Sequence, residues 1–305
     1  MVKTTALVAI CTHNPELDKL DKVLSSIFSN VVPKRVLIVD NASTNGIPFK
    51  LAKKFKTEYV LENRLGNSFA RHKAIEFAKS NELLIFVDDD NYISDTYIET
   101  ALRLSHMHPD WGAFGGKQLP IENLHVKRKF RSLLPYVGIR SLGNEKKDSM
   151  ATPFWSELEP IGAGMCISPD LIDKLKSLLE NNFSYYSLGR KGAGLLSGED
   201  SFIARTAHLY SLKWGYSPEL QLTHDIKAKR LTTKYMIQLM HSYGLSDVSL
   251  DTAIGNFDHF PYPSSFWKAL QSWFYTTVSH KSGWIIGFRH LGQYRALKSF
   301  QSKPK

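Results

Sequence analysis

Leu83-Leu84-Ile85-Phe86-Val87-Asp88-Asp89-Asp90-Asn91 is the stretch whose reading decides the fold of this 305-residue chain. Five large apolar residues in a row, closed by acids and an Asn, predict a buried parallel strand running into a loop. The three carboxylates then sit at the carboxyl end of a strand, the edge of an open α/β sheet where ligands bind. Adjacent carboxylates repel by about 1 kcal/mol per close pair in a wet site, and by more when desolvated, so a counter-cation stabilises them. Oxygen ligands select a hard divalent ion, Mg2+ or Mn2+, commonly held by one or two carboxylates together with substrate phosphates. The same acids would also serve as a turn capping a helix that begins near Asp95, so the neighbouring segments have to decide.

Outward from this stretch the pattern repeats. Residues 6–10 form an apolar, strand-length run, Arg35 to Val39 repeats the pattern as a second buried strand, and a shorter third strand closes at Leu61. Asn14-Pro15-Glu16 combines an N-cap residue, a first-turn proline and a first-turn acid. A helix follows, expected to turn Leu17, Leu20, Leu24, Ile27 and Phe28 inward. Further helices are predicted over 68–79 and 96–106. This alternation predicts an α/β fold with a Rossmann-like, mostly parallel, doubly wound sheet flanked by helices. The first strand is followed by Thr12-His13-Asn14-Pro15 and not by Gly-x-Gly-x-x-Gly, which argues against a dinucleotide-dependent dehydrogenase. Acids after the second and fourth strands suit a base or ribose, which offer hydrogen-bond donors, and a metal that neutralises phosphates.

The second half is less regular. Residues 113–117 predict a strand, 127–131 are a basic run, and 138–153 are polar and expected to be mobile. Gly162-Ala163-Gly164-Met165-Cys166-Ile167 reads as a small-residue turn into a strand, with a helix over 169–180 behind it. Four glycines within 189–198 predict a flexible loop that delivers Glu199-Asp200 to a helix start. A helix amino terminus favours the ionised form of Asp200, and a carboxylate beside a mobile loop suits a general base. The same pair would also simply complement the helix dipole. His224 follows the alternating residues 220–223 and is expected just past a strand.

A hydrophobic fraction of 43% and a charged fraction of 22% are those of a globular protein and exclude a disordered chain. The only cysteines, Cys11 and Cys166, fit no disulfide framework, and a reducing cytoplasm suits them. No apolar run approaches the roughly 18 residues of a membrane span. The net charge of +10 is concentrated in residues 259–305, which hold seven Lys or Arg and no Asp or Glu. There Phe266, Trp267, Leu270, Trp273, Phe274, Thr277 and Val278 follow helical spacing. Trp284, Phe288, Leu291, Tyr294 and Leu297 do so after a break at Gly283. Two amphipathic helices are expected, docked either on the domain or on an anionic membrane through Lys268, Lys281, Arg289, Arg295 and Lys298. Nucleic acid is not expected, since rings aligned on one helical stripe are placed for burial and not for stacking successive bases. The division expected is a catalytic domain over 1–258, with a nucleotide-binding half 1–117 and an acceptor half 118–258, and a helical tail over 259–305.

Together these pieces resemble the family 2 glycosyltransferases of the GT-A fold. The resemblance is carried by Thr12-His13-Asn14-Pro15, Val39-Asp40-Asn41-Ala42-Ser43, Asn63-x-x-Gly66-x-x-x-Ala70-Arg71, Phe86-Val87-Asp88-Asp89-Asp90, Gly162-x-Gly164-Met165 and Gly198-Glu199-Asp200, with His224, Arg230 and Tyr235 behind them. It implies that Asp40 binds the base, usually uracil, that Asp88 and Asp89 lie at the ribose, and that Asp90 ligates the metal. It further implies that Asp200 is the catalytic base and that His224 completes the metal and diphosphate site. Thr12, Asn14, Asn63 and Arg71 fall in the nucleotide-binding motifs, and Gly162, Gly164, Met165, Glu199 and Arg230 around the donor and acceptor pocket. Ala70-Arg71-His72 departs from the usual Ala-Arg-Asn, and no Gln-x-x-Arg-Trp follows Glu199-Asp200. That absence argues for transfer of a single sugar over processive synthesis. The implied activity is inverting, metal-dependent transfer from a nucleoside diphosphate sugar, usually a UDP-sugar, to a saccharide or lipid-linked acceptor, with a place in cell-surface polysaccharide or glycolipid synthesis. Two other classes are set against it: a metal-dependent nucleotidyltransferase, and a non-catalytic protein binding a membrane surface or nucleic acid.

Overall fold

The computed structural model describes residues 4–32, 34–192, 194–256 and 262–301. The chain runs from β1 (Thr5–Thr12) through α1 (Leu17–Ser29), β2 (Lys34–Asp40), α2 (Ile47–Phe55), β3 (Glu58–Leu61) and α3 (Asn67–Phe77) to β4 (Glu82–Asp88). β1 pairs in parallel with both β2 and β4, and β2 with β3. Register aligns the carboxyl ends: Thr12 stands opposite Asp40, and Cys11 opposite Asp88. The polar residues that close these strands therefore form one row along one edge of the sheet.

Beyond β4 the three acids turn the chain into β5 (Asn91–Ile93), followed by α4 (Tyr97–Met107) and β6 (Trp111–Pro120). β7 (Lys147–Met150), β8 (Cys166–Ile167), α5 (Pro169–Glu180), α6 (Glu199–Arg205) and β9 (Lys213–His224) complete the layer. The strand order is β3-β2-β1-β4-β8-β6-β9-β5, with β7 on β9. The short β5 pairs antiparallel with β9 so that Asn91 faces His224. That single pairing brings a residue over 130 positions away against the acidic loop.

Alternate strand residues feed two apolar layers, as the two-residue period requires. Leu7, Ala9, Leu84 and Phe86 pack with α3 and α5 on one face, and Ala6, Val8, Ile10, Ile85 and Val87 with α1 and α4 on the other. α1 buries Leu20, Val23, Leu24 and Ile27, whereas Leu17 and Phe28, expected inside, are exposed. The buried stripe is narrower than the apolar one, and Phe28 instead stacks at the rim on Phe55, with ring centroids 5.6 Å apart. Residues 138–153 also differ from expectation. Arg140 bridges Gln118, and β7 pairs with β9 from Lys147 to Met150, so backbone pairing organises much of this polar stretch.

A third apolar cluster joins the 3₁₀ segment Arg128–Val137 to α7 (Thr233–Ile254) through Phe130, Leu133, Met236, Leu239 and Met240. The chain's last helices, α8 (Phe266–Ser279), α9 (Gly283–Ile286) and α10 (Phe288–Gln301), contribute Ile285 to the same cluster. The boundary at 258/259 lies outside the described residues. α10 lies along α7 at backbone distance. A Cβ on Gly244 would stand 1.9 Å from the Arg289 carbonyl oxygen, and one on Gly292 would stand 2.0 Å from that of His241. Arg289 also grips Asp247 through two hydrogen bonds of 2.6 Å, and Gln293 donates to the same carboxylate. The tail thus docks on the domain, and no described helix is long and apolar enough to cross a membrane.

The crossing has no slack, because the atoms facing Gly244 are backbone. Gly244→Ala is expected to force α7 and α10 apart and to cost about 1–3 kcal/mol, as overpacking does. Urea denaturation read against the unsubstituted chain checks this. An unchanged midpoint would show that the crossing adapts.

Candidate active site

A cavity of about 410 Å³ lies beyond the carboxyl ends of β1 and β4. Its walls hold Thr12, Arg71, Asp88, Asp89, Asp90, Gly162, Glu199, Asp200, His224 and Arg230, all singled out from sequence. They come from the end of β1, from the end of β4 and the loop after it, from α3, from the turn before β8, from the start of α6, and from the end of β9 with the 3₁₀ turn after it. Asn14, Asp40, Asn63, Gly164 and Met165 are not on its lining. Asp40 is buried, accepting from the Tyr59 hydroxyl at 2.8 Å and the Ser43 amide at 2.9 Å, while its neighbour Asn41 reaches the cavity. Asn14 accepts from the Thr44 amide at 2.8 Å, and Asn63 is exposed. Gly164 accepts from the Tyr97 hydroxyl at 2.6 Å, and Met165 is wholly inside the core, so these two shape the wall from behind.

Two carboxylates that are adjacent in sequence face different tasks. Asp200 accepts hydrogen bonds from the amides of Gly162 and Ser201, each 2.9 Å long, one to each oxygen. These fix its plane while leaving lone pairs for a ligand. Glu199 is buried and held internally by the Asn67 side-chain amide and the Gly198 amide at 3.2 Å, with Arg71 Nε 3.7 Å away. Burial, and then the charge of Asp200, push its carboxyl above the usual glutamate range. The Arg71 guanidinium also reaches Asp88 at 3.5 Å and lies over the Phe86 ring at 4.6 Å. Its Nε and Nη1 lack hydrogen-bond partners, the condition of a wall that a polar ligand completes.

On the opposite side Asp89 accepts from the Thr12 hydroxyl at 2.5 Å, and burial together with neighbouring Asp90 pushes its carboxyl up to about 6. Asp90 Oδ1 lies 3.3 Å from His224 Nε2, and its Oδ2 lies 3.5 Å from Arg230. Burial alone would raise the Asp90 carboxyl, but the imidazole and guanidinium outweigh it and hold it below its ordinary value. Burial likewise works against the His224 cation, and Asp90 and the Gly138 carbonyl more than offset it.

These residues fit a divalent ion. His224 Nδ1 lies 3.0 Å from the Gly138 carbonyl, which fixes Nδ1 as the donor and frees the Nε2 lone pair. The 3.3 Å between Nε2 and the Asp90 oxygen is close to the roughly 3 Å edge of an octahedron with bonds of about 2.1 Å. Gly138 can approach so closely because it has no side chain: a Cβ there would stand 2.9 Å from the imidazole. Among the described residues no three of His, Cys, Asp or Glu converge closely enough to hold an ion by themselves, so substrate oxygens would have to complete the shell.

Part of the sequence and the overall fold are similar to known proteins. Residues 7–154 match the family described as Glycosyl transferase family 2. Over that span, just under half of its length, the chain is similar to that family. Its fold is GT-A. A mannosyltransferase from Pyrobaculum calidifontis, solved with GDP-Man and Mn2+, is 15% identical with a TM-score of 0.59, over 99% of this chain and 88% of that one. TarS of S. aureus, residues 1–349 with UDP-GlcNAc, is 13% identical with a TM-score of 0.54, over 97% and 91% of the two chains. No curated protein matches the sequence.

Several residues of the cavity wall carry no local signal in the sequence. Arg190 reaches the cavity from the glycine-rich loop with no carboxylate within ion-pair distance among the described residues. Tyr243 and the 3₁₀ residues 135–138 lie across from the acids. A lone Arg in a glycine loop carries no periodic signal, and the contact between Gly138 and His224 spans 86 positions. Cys11 also lines the cavity, but burial pushes its thiol up to about 12, so it stays protonated and supplies no nucleophile.

Arg71 is the only cation touching Glu199 among the described ion pairs. Arg71→Met is expected to cost about 3–5 kcal/mol at neutral pH, because a buried carboxylate loses its partner. Glu199 already sits above its unfolded value, so the folded state binds protons more readily and the loss should shrink as pH falls towards the ordinary glutamate range. Denaturation at pH 5 and pH 7.5 measures this, and a pH-independent loss would deny the charge mechanism.

Proposed function

We propose that the cavity binds a nucleoside diphosphate sugar, UDP-sugars first among them, and transfers one sugar with inversion to a hydroxyl of a saccharide or lipid-linked acceptor. The observation that carries this reading is the convergence of Asp200, held by two amides, and the Asp90–His224 pair on one cavity. Mn2+ or Mg2+ is the cofactor of the reading, with Asp90 and His224 as its protein ligands, and when bound it supplies positive charge against the leaving diphosphate. Arg190 and Arg230 add fixed cations at the same wall.

Asp200 takes the proton of the acceptor hydroxyl while that oxygen forms its bond to the anomeric carbon. The bond from that carbon to the diphosphate oxygen breaks, and the nucleoside diphosphate leaves with the electron pair. Attack opposite the leaving group inverts the configuration. Glu199, tied to Asn67 and the Gly198 amide, acts by holding the floor of the site and not as the base. A role in cell-surface polysaccharide or glycolipid synthesis places the protein in the cytoplasm, peripheral to the membrane.

Asp200→Asn keeps the shape but cannot accept the proton, so turnover should fall by about 10²–10⁴ with donor affinity little changed. Release of nucleotide across a panel of nucleotide sugars measures this and identifies the donor. Turnover surviving within a few-fold would move the base elsewhere. Asp90→Ala should abolish the Mn2+-dependent part of donor binding in a calorimetric titration, as chelation should in the parent. Wild-type affinity in that variant would remove Asp90 from the metal site.

A further inference from the structure

α8 wears its aromatic residues on the outside. Trp267, Phe274, Tyr275 and Val278 are 75%, 63%, 69% and 67% exposed, whereas Ala269 and Thr276 are the residues it buries. Positions 267, 274, 275 and 278 share one helical face. The opposite face is filled: Gly283 lies against the Thr276 backbone, Gly287 against Trp273, and the Trp273 indole donates to the Trp284 carbonyl at 3.0 Å. Among the described residues nothing covers the outer face, and an apolar patch of this kind marks an interaction surface.

Charge around the patch selects the partner. Lys268 and Lys281 are exposed on and just after α8, and the exposed run Lys127, Arg128, Lys129 and Arg131 lies beside the turn between α8 and α9. Ser282 donates to the Lys129 carbonyl at 2.6 Å, and Ser132 donates to the Lys281 carbonyl at 3.5 Å, which fixes the two basic segments together. None of these six cations is in an ion pair among the described residues. A second copy of this chain would bring the six against six like charges, which disfavours a self-complementary interface. An anionic bilayer instead attracts them, and its interface accommodates Trp and Tyr.

We propose that the outer face of α8, with the adjoining cations of 127–131 and 281, is a docking surface for an anionic lipid bilayer. The link is rigid. The 3₁₀ segment that touches Ser282 also supplies residues 135–138 of the cavity wall, so docking sets the site's orientation to the bilayer. The proposal deepens the reading of the site by locating a lipid-linked acceptor. Its test needs no turnover, so the two readings fail separately.

Removing the tail would strip Asp247 of Arg289 and test folding instead, so exposed positions are substituted in the full chain. Flotation is measured with vesicles of phosphatidylcholine alone and with one-third phosphatidylglycerol, at low and high salt. The parent should float with the anionic vesicles only, and less at high salt. Trp267→Ser with Phe274→Ser should weaken partition by about tenfold or more at unchanged thermal midpoint, since affinity scales with buried apolar area. Lys268→Gln with Lys281→Gln should weaken it and flatten its salt dependence. The proposal is overturned if the parent ignores anionic vesicles at low salt, if the aromatic pair binds as the parent does, or if that pair only dissolves a dimer of the parent.

Discussion

Five carboxylates, Asp88, Asp89, Asp90, Glu199 and Asp200, line one cavity, and the surrounding structure is arranged to bear that charge. Crowded acids tend to neutralise by taking up protons, which would spoil a site meant for cations and hydroxyl protons. Asp89 goes part of the way, with its carboxyl pushed up to about 6. Asp90 does not, because His224 and Arg230 flank it. Arg71 stands between Asp88 and Glu199, where one guanidinium answers two loops. Asp200 is met by backbone amides, which supply partial positive charge without a side chain that would block access.

The counterweights around the acidic loop depend on strand pairing at the cavity's edge. Parallel register sets Thr12 level with Asp40 and Cys11 level with Asp88, and the antiparallel match of Asn91 with His224 sets the imidazole beside the acidic loop. A one-residue slip of β5 would turn its own side chains to the other face of the sheet and lose the match of Asn91 with His224, since side chains alternate along a strand. The fold therefore fixes the charge balance before any ligand arrives, which is the form in which electrostatic stabilisation costs least during reaction.

The parallel half was legible because its signals are local. An apolar run ended by acids is contained within nine residues, and three such runs in alternation with helices specify the layer. The wall built by α7, the 3₁₀ segment and the glycine-rich loop was not legible, since Arg190, Gly138 and Tyr243 acquire meaning only from partners far along the chain. Motif position also blurred two kinds of residue. Asp40 and Met165 stand in motifs that flank the cavity, yet Asp40 is satisfied by Tyr59 and Ser43, and Met165 belongs to the core. Spacing marks the loop that reaches a site but not which of its side chains points there.

The tail illustrates the same limit in a physical way. Its apolar stripes were visible at helical spacing, but a stripe does not say which surface it serves. The deciding residues are glycines with no hydrophobic signal at all. Gly283, Gly244 and Gly292 let backbones touch and Gly287 receives the Trp273 indole, so α8 and α10 seat themselves through small residues, that ring and Arg289 on Asp247, leaving Trp267, Phe274 and Tyr275 outside the contact. Contact made by backbone leaves aromatic area unspent. On a helix held this way, Trp267, Phe274 and Tyr275 are released from the core, and their exposure follows from how the helix is seated.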